Sequence, residues 1–313
     1  MTTGTNGLQI EQVVVRDIVV KMMHAKLLGG PAWIAILVLS LVLVACEAPV
    51  PTVTGDDRQI YVPIIENGAR SAHTNIKKGV SLWFAPCETL ERLGVTWYYT
   101  GQACPGFQQM PYLDTPASLT PAAIKQLGPG PFMFLNEPDL GQESMSDLVD
   151  LAVAALSRAN VAAVGPCVAH DLDYVEAFWL MYRQVSGQSD ARPAAICFHC
   201  YGSAAGCIAR TESAIAVADR LGVGEVWLTE FGLPPGMTYS IGDILAENQT
   251  LVESLNSNPR VGRYAYWAAA IRYGATVPAD PCTGWQPLVY EWYRVDGSVE
   301  WRLTPLGTWY AGQ

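Results

Sequence analysis

"FMFLNEPDL" spans Phe132 to Leu140, and its reading decides the fold. Four apolar residues lead directly into Asn136, Glu137 and Pro138. A carboxylate is costly to desolvate unless it is paired or used. A buried-looking strand that ends on one therefore demands an explanation. "EVWLTEFGLPP", Glu225 to Pro235, repeats the design, with an apolar run that closes on Glu230. The question is whether the two glutamates belong to one site.

Outward from these stretches the chain shows eight short apolar runs: 79–84, 94–99, 107–112, 132–136, 161–166, 195–202, 225–230 and 263–269. Helical patterns lie between many of them. "SMSDLVDLAVAALSRAN" (144–160) has a Ser cap, early acidic residues and apolar spacings of three and four. "ARTESAIAVADRLGV" (209–223) ends in a Gly stop, and "AENQTLVESLNSNP" (246–259) reads as helix too. Strand–helix alternation with eight strands predicts an α/β fold, a parallel (β/α)8 TIM barrel forming a single catalytic domain over 76–313. That span of about 235 residues suits the eightfold barrel. An open doubly wound sheet usually carries a Gly-rich phosphate turn after its first strand, and "WFAPCETL" stands there instead.

In a barrel the site lies at the C-terminal ends of the strands. Glu137 follows the fourth run and Glu230 the seventh, and strands four and seven face each other across a small barrel. Two carboxylates flanking one bond are what glycoside hydrolysis needs, one as acid and one as nucleophile or base. A single Glu after a strand is more simply a salt bridge or a helix N-terminal carboxylate. Two in matching positions favour the catalytic reading.

The motifs then form an ordered set. "GVTWYYT" (94–100), "FLNEPDL" (134–140), "FHCYG" (198–202), "VWLTEFG" (226–232), "RYAYW" (263–267) and "DGSVEWRLTPLGTWY" (296–310) occur in sequence. This set resembles glycoside hydrolase family 128, a clan A family that includes the fungal alkali-sensitive-linkage proteins. The resemblance covers nearly the whole domain and implies a retaining endo-β-1,3-glucanase on an eightfold barrel. It implies Glu137 as acid/base, Glu230 as nucleophile, and Asn136 as a partner of the sugar 2-hydroxyl. His199 and Tyr201, two apart on the sixth run, are expected to face one way, with Tyr201 bonded to Glu230. His199 alternatively reads as a satisfied core histidine. Trp97 and Tyr99 either line a sugar subsite or pack. Tyr266 and Trp267 offer a platform under the sugar, with the inward ring left open. Cys200 stands where the family has an aromatic, so that wall is expected to differ. Asp139, Glu143 and Glu225 are read as charges outside the chemistry.

The N-terminal region has a different character. Residues 22–45 carry a weakly basic start and a long apolar run, and "LVAC" (Leu43–Cys46) resembles the bacterial lipobox. Residues 1–45 are thus expected to be a leader, with Met22 or Met23 as an alternative start and Cys46 as the lipidated residue. A membrane-spanning anchor is the other reading. The Pro- and Thr-rich stretch 46–75 is expected to be a tether. From Cys46 onward 16 Lys and Arg face 27 Asp and Glu, a net charge of about −11. Such a chain repels nucleic acid phosphates and tolerates neutral sugars. The expected protein is exported, anchored at the cell envelope, monomeric, partnered by β-glucan and independent of metal or organic cofactor. Beyond Cys46 lie seven cysteines. Cys87 with Cys104 and Cys200 with Cys207 are close enough to bridge, and an odd number leaves a thiol over. Scarce His and unrepeated CxxC spacing argue against structural zinc.

Two rival functions remain in view. One is a clan A hydrolase of mannan, xylan or galactan, with the same carboxylate pair and other subsites. The other is a carbohydrate-capturing surface lipoprotein without catalysis. A Ser nucleophile is disfavoured, because no G-x-S-x-G elbow occurs.

Overall fold

The apolar runs become strands whose two faces are both covered, which is why they read as continuous rather than alternating. A computed structural model describes residues 75–127, 130–157, 161–234, 239–270, 287–293 and 299–313. The leader, Cys46, nearly all of the tether and Cys282 lie outside these residues. In chain order the strands are β1 (Lys78–Ser81), β2 (Trp97–Tyr99), β3 (Gln108–Gln109), β4 (Tyr112–Leu113), β5 (Pro131–Phe134), β6 (Ala162–Val164), β7 (Ile196–Tyr201), β8 (Val226–Gly232) and β9 (Val261–Tyr266). The helices between them are α1 (Glu88–Leu93), α2 (Pro121–Gln126), α3 (Met145–Leu156), α4 (Leu172–Ser186), α5 (Ala204–Leu221) and α6 (Ile241–Ser257). An antiparallel hairpin, β10 (Val289–Tyr293) and β11 (Val299–Leu303), precedes α7 (Pro305–Ala311).

All pairings among the first nine strands are parallel, in the orders β3-β2-β1-β9-β8-β7 and β4-β5-β6. Hydrogen bonds join the two sheets. The third run is one strand broken at Met110–Pro111, since proline has no N–H to give. Met110 N–H still reaches the Tyr98 carbonyl at 2.7 Å, and Met133 N–H reaches the Pro111 carbonyl at 2.8 Å. On the other side Ala194 N–H bonds the Ala163 carbonyl at 2.7 Å, and a parallel bridge pairs Val168 with Phe198. The eight expected runs thus follow one another around a ring.

Period-two alternation sorts side chains between the ring interior and the helical layer. Trp97, Tyr99, Met133, Cys197, Trp227 and Ala265 belong to the interior cluster. Tyr98, Phe132, Phe134, Phe198, Leu228 and Tyr264 turn outward into the larger core under the helices. The N-terminal end of the ring is plugged by Arg263, whose guanidinium lies 5.2 Å from the Trp97 ring and 5.1 Å from the Trp227 ring. Gly79 leaves the space for Trp97, since a Cβ there would sit 2.2 Å from the indole. Ser144, Ser203 and Ser240 cap α3, α5 and α6, and Gly187 and Gly222 end α4 and α5 in left-handed conformation. The helix expected from 209 begins at Ala204, because Ser203 supplies the cap one turn earlier than the periodicity shows.

Both expected cysteine pairs are bridged, Cys87–Cys104 and Cys200–Cys207. A third, Cys167–Cys197, joins the end of β6 to β7 and was not visible from spacing. At the outer base Lys78 is buried. Its ammonium donates to the Tyr310 carbonyl at 2.9 Å and lies 5.2 Å from the Tyr310 ring. Burial pushes the Lys78 ammonium down to about 8 from its ordinary 10.5. The folded value is below the unfolded one, so below pH 8 both states hold the proton and the burial cost stands in full. Between pH 8 and about 10.5 only the unfolded chain holds it, and stability owed to Lys78 rises with pH. Thermal melts of wild type and Lys78→Met should show wild type gaining on the variant across that window. A gap independent of pH would contradict this.

Candidate active site

Glu137 owes its place to a strained exit from β5. Leu135 and Glu137 have positive φ, 54° and 47°, and neither is glycine. Such backbone persists only when its surroundings hold it. The Leu135 N–H bonds the Leu113 carbonyl at 2.9 Å, the Asn136 N–H bonds Asp114 at 2.8 Å, and the Glu137 N–H bonds Cys167 at 2.7 Å. Buried Pro138 then starts a 3-10 turn over Pro138–Leu140. Trp83 and Thr100, after β1 and β2, also have positive φ, 46° and 60°. The strain is gathered at the strand ends.

Glu230 sits within β8, all seven residues of which are buried. Only 8% of it is exposed. A carboxylate this deep needs donors, and two tyrosines supply them. The Tyr201 hydroxyl donates to Glu230 Oε2 at 2.6 Å. The Tyr99 hydroxyl lies 2.9 Å from the Thr229 carbonyl and 3.1 Å from Glu230 Oε1, so its single hydrogen serves two acceptors. Burial first, then the Glu230 charge, pushes both hydroxyls well up from their ordinary value, which keeps them neutral donors.

His199, 1% exposed, spans the two glutamates. Its Nδ1 is 2.8 Å from Glu137 Oε1 and 3.5 Å from Glu230 Oε2. At 2.8 Å Nδ1 and Glu137 Oε1 share one hydrogen bond. Nε2 is buried without a hydrogen-bond partner among the described residues. One oxygen of Glu137 and one of Glu230 lie within 4.8 Å of each other. Two carboxylates this close can flank a single glycosidic bond. Glu137 is the more open of the two, with 28% of its side chain exposed against 10% for Glu230. The same three side chains are the described group whose ligand atoms lie close enough to share a metal ion.

The remaining expected residues divide. Asn136 is exposed beside Glu137, and its Oδ1 accepts from the Tyr112 hydroxyl at 2.6 Å. Trp267 turns to the mouth, its ring centroid 5.9 Å from that of Trp83 and 6.1 Å from that of Tyr201. Tyr266 turns the other way, 2% exposed, edge-on to Phe231 at 5.3 Å. A sugar platform therefore has Trp267 and lacks Tyr266. Trp97 lines no subsite, because it is 0% exposed and packs in the ring. Tyr99 also has no face for a sugar and serves Glu230 instead. Cys200 is not part of the wall, since its alternation turns it outward to Cys207. Glu225 bonds the Trp227 indole N–H at 3.0 Å at the opposite end of the strand.

Tyr112, Trp83, Phe84 and Asp114 escaped the sequence reading. They wall a cleft of about 470 Å³ beside Asn136, a size usual for a small-ligand site. Trp83 and Phe84 are 42% and 46% exposed, so their faces are available. Each closes or follows an apolar run, and that position was the signal available.

Similarity to known proteins agrees with this architecture. The structure resembles a glycoside hydrolase family 128 (subgroup I) endo-β-1,3-glucanase from Amycolatopsis mediterranei in complex with laminaritriose, with TM-score 0.57 and 21% identity over 76% of this chain and 99% of that chain. It also resembles subgroup II endo-β-1,3-glucanases. The one from Sorangium cellulosum gives TM-score 0.56 and 19% identity over 75% of this chain and 97% of its own, and the one from Pseudomonas viridiflava gives 0.54 and 19% over the same shares. At these identities the likeness is one of fold. No curated protein matches the chain. The family model described as the glycosyl hydrolase catalytic core matches residues 91–310, which hold both glutamates, His199, Tyr201 and every ring strand but the first. The chain belongs to the glycosyl hydrolase catalytic core family.

Proposed function

We propose that the chain is a retaining endo-β-1,3-glucanase of glycoside hydrolase family 128. The observation that carries the reading is the pair of carboxylates within 4.8 Å across the mouth of the ring. In the first step a Glu230 oxygen attacks the anomeric carbon while Glu137 gives its proton to the departing oxygen. In the second Glu137 takes a proton from water, and that water displaces Glu230 and restores both groups. Tyr201 and Tyr99 keep the Glu230 charge in place while it is the nucleophile. Asn136, beside Glu137, is the proposed partner of the sugar 2-hydroxyl, a contact that strengthens as the oxocarbenium character grows. Trp267 and the Trp83–Tyr112 cleft supply flat apolar faces for neutral sugar rings. The β-1,3 linkage is supported by the endo-β-1,3-glucanase activity of the proteins that share the fold.

Three disulfides support an exported enzyme, since such bonds persist in oxidising compartments. The lipobox-like "LVAC" supports a lipid anchor at Cys46, with 46–75 holding the catalytic unit away from the membrane. Palmitate labelling that is lost in Cys46→Ser tests that part.

The test of the chemistry is hydrolysis of laminarin by wild type, Glu137→Gln and Glu230→Gln. Wild type should release short oligosaccharides whose first-formed anomer is β by NMR. Glu137→Gln should fall roughly 10²–10⁴-fold in kcat, and Glu230→Gln should reach background. A first-formed α anomer would exclude retention, and full hydrolysis by Glu230→Gln would exclude it as the nucleophile. Tyr201→Phe removes a bond to a charged group, about 1.5–3 kcal/mol, or roughly 10–150-fold in rate. Tyr99→Phe should lose less, because its hydrogen is shared. The reverse ranking in kcat would contradict the assignment of donors.

A further inference from the structure

The segment that follows β6 lies between the proposed acid and His199. Cys167 pairs with Asn136, and its carbonyl accepts the Glu137 N–H at 2.7 Å. The next carbonyl, of Val168, accepts the His199 N–H at 2.9 Å. The chain then turns, and two charged side chains close on the turn. Asp139 takes its N–H groups: Ala169 at 2.9 Å on Oδ1, His170 at 2.7 Å and Asp171 at 2.9 Å on Oδ2. Arg210, from α5, takes its carbonyls: Ala169 at 2.9 Å through Nη2 and His170 at 2.8 Å through Nη1. The third arm of the guanidinium, Nε, donates to the His199 carbonyl at 2.8 Å. The same residues are therefore held by opposite charges on their N–H and C=O groups.

The placement links the grip to the site at both ends. Asp139 is two residues beyond Glu137, on the turn begun by buried Pro138. Arg210 holds the backbone of His199 itself. A carboxylate accepting three N–H groups and a planar fork donating to three carbonyls are charge-assisted contacts, stronger and more directional than neutral ones. A loop anchor needs neither this number of charged bonds nor attachment to both residues of one catalytic contact.

We propose that Asp139 and Arg210 are positioning residues, which through the segment 167–171 hold Glu137 in its left-handed conformation against His199. The proposal rests on the reading of Glu137 as acid/base. Both oxygens of Asp139 and all three arms of Arg210 are taken up by backbone. Their loss should be felt in the steps that move the Glu137 proton and spared where no proton is needed.

Asp139→Asn places an amide donor against N–H donors. Arg210→Lys replaces a three-way fork with one ammonium that cannot reach three spread carbonyls. Each should lower kcat on laminarin by about 10–100-fold, the scale of a misplaced catalytic group, with KM within about twofold. On 2,4-dinitrophenyl β-laminaribioside the leaving group needs no proton. There the pre-steady-state burst of dinitrophenolate should stay within about threefold of wild type, as for Glu137→Gln. The two variants approach from different elements, so either one that retains the wild-type circular dichroism carries the test. Equal losses on both substrates would mean general damage to the fold, and no loss on either would mean no role; both overturn the proposal. An inactive wild type on both substrates would instead overturn the glucanase reading, and the positioning role with it.

Discussion

Burial of the Glu230 charge is the constraint on which the site depends. A carboxylate with 8% exposure survives only where donors are already aimed at it. Tyr201 comes from the neighbouring strand β7, and Tyr99 comes from β2 across the ring. Both hydroxyls are themselves raised by burial and by Glu230, so they stay neutral donors to it. Such a network has little tolerance for slippage, and a closed ring of parallel strands is a frame that allows little.

The ring divides its own interior by chemistry. At the N-terminal end, Trp97 and Trp227 close on Arg263 in a packed and hydrogen-bonded plug. At the C-terminal end the same inward-facing rows continue as Tyr99, His199, Tyr201 and Trp267 and meet the two glutamates. Stability is concentrated at one end of each strand and reactivity at the other. The positive-φ residues Trp83, Thr100, Leu135 and Glu137 all belong to the reactive end. Local strain is tolerated there because hydrogen bonds from the adjacent strands and the Cys167–Cys197 bridge surround it.

The proposed acid and the proposed nucleophile are supported in different ways. Glu230 lies within a regular strand and is held by side chains. Glu137 lies past the end of its strand and is held by backbone, through Cys167 and the turn gripped by Asp139 and Arg210. The nucleophile must stay charged and still. The acid must stay open to a departing oxygen, and its support comes from behind.

Eight apolar runs, their length, and a carboxylate closing the fourth and the seventh were legible along the chain, because burial and alternation are local properties of a strand. Glu137, Glu230 and the Tyr201 contact followed from them once parallel strands were inferred. Other assignments depended on which way a single residue turns. Trp97 was a candidate for a sugar and is core, Tyr266 and Trp267 were indistinguishable, and Cys200 faces a helix rather than the mouth. A strand shows which residues share a face, but the bulges in β7–β8 and β8–β9 and the left-handed exits shift that face at the very end where the site lies. The Cys167–Cys197 bridge, the Tyr112–Asn136 bond and the Asp139–Arg210 grip join residues that are 24 to 71 positions apart. Sequence alone determined the barrel and the two glutamates at its strand ends, since periodicity and burial are written residue by residue. Tertiary structure alone decided their partners, because a hydrogen bond depends on distance and direction in space.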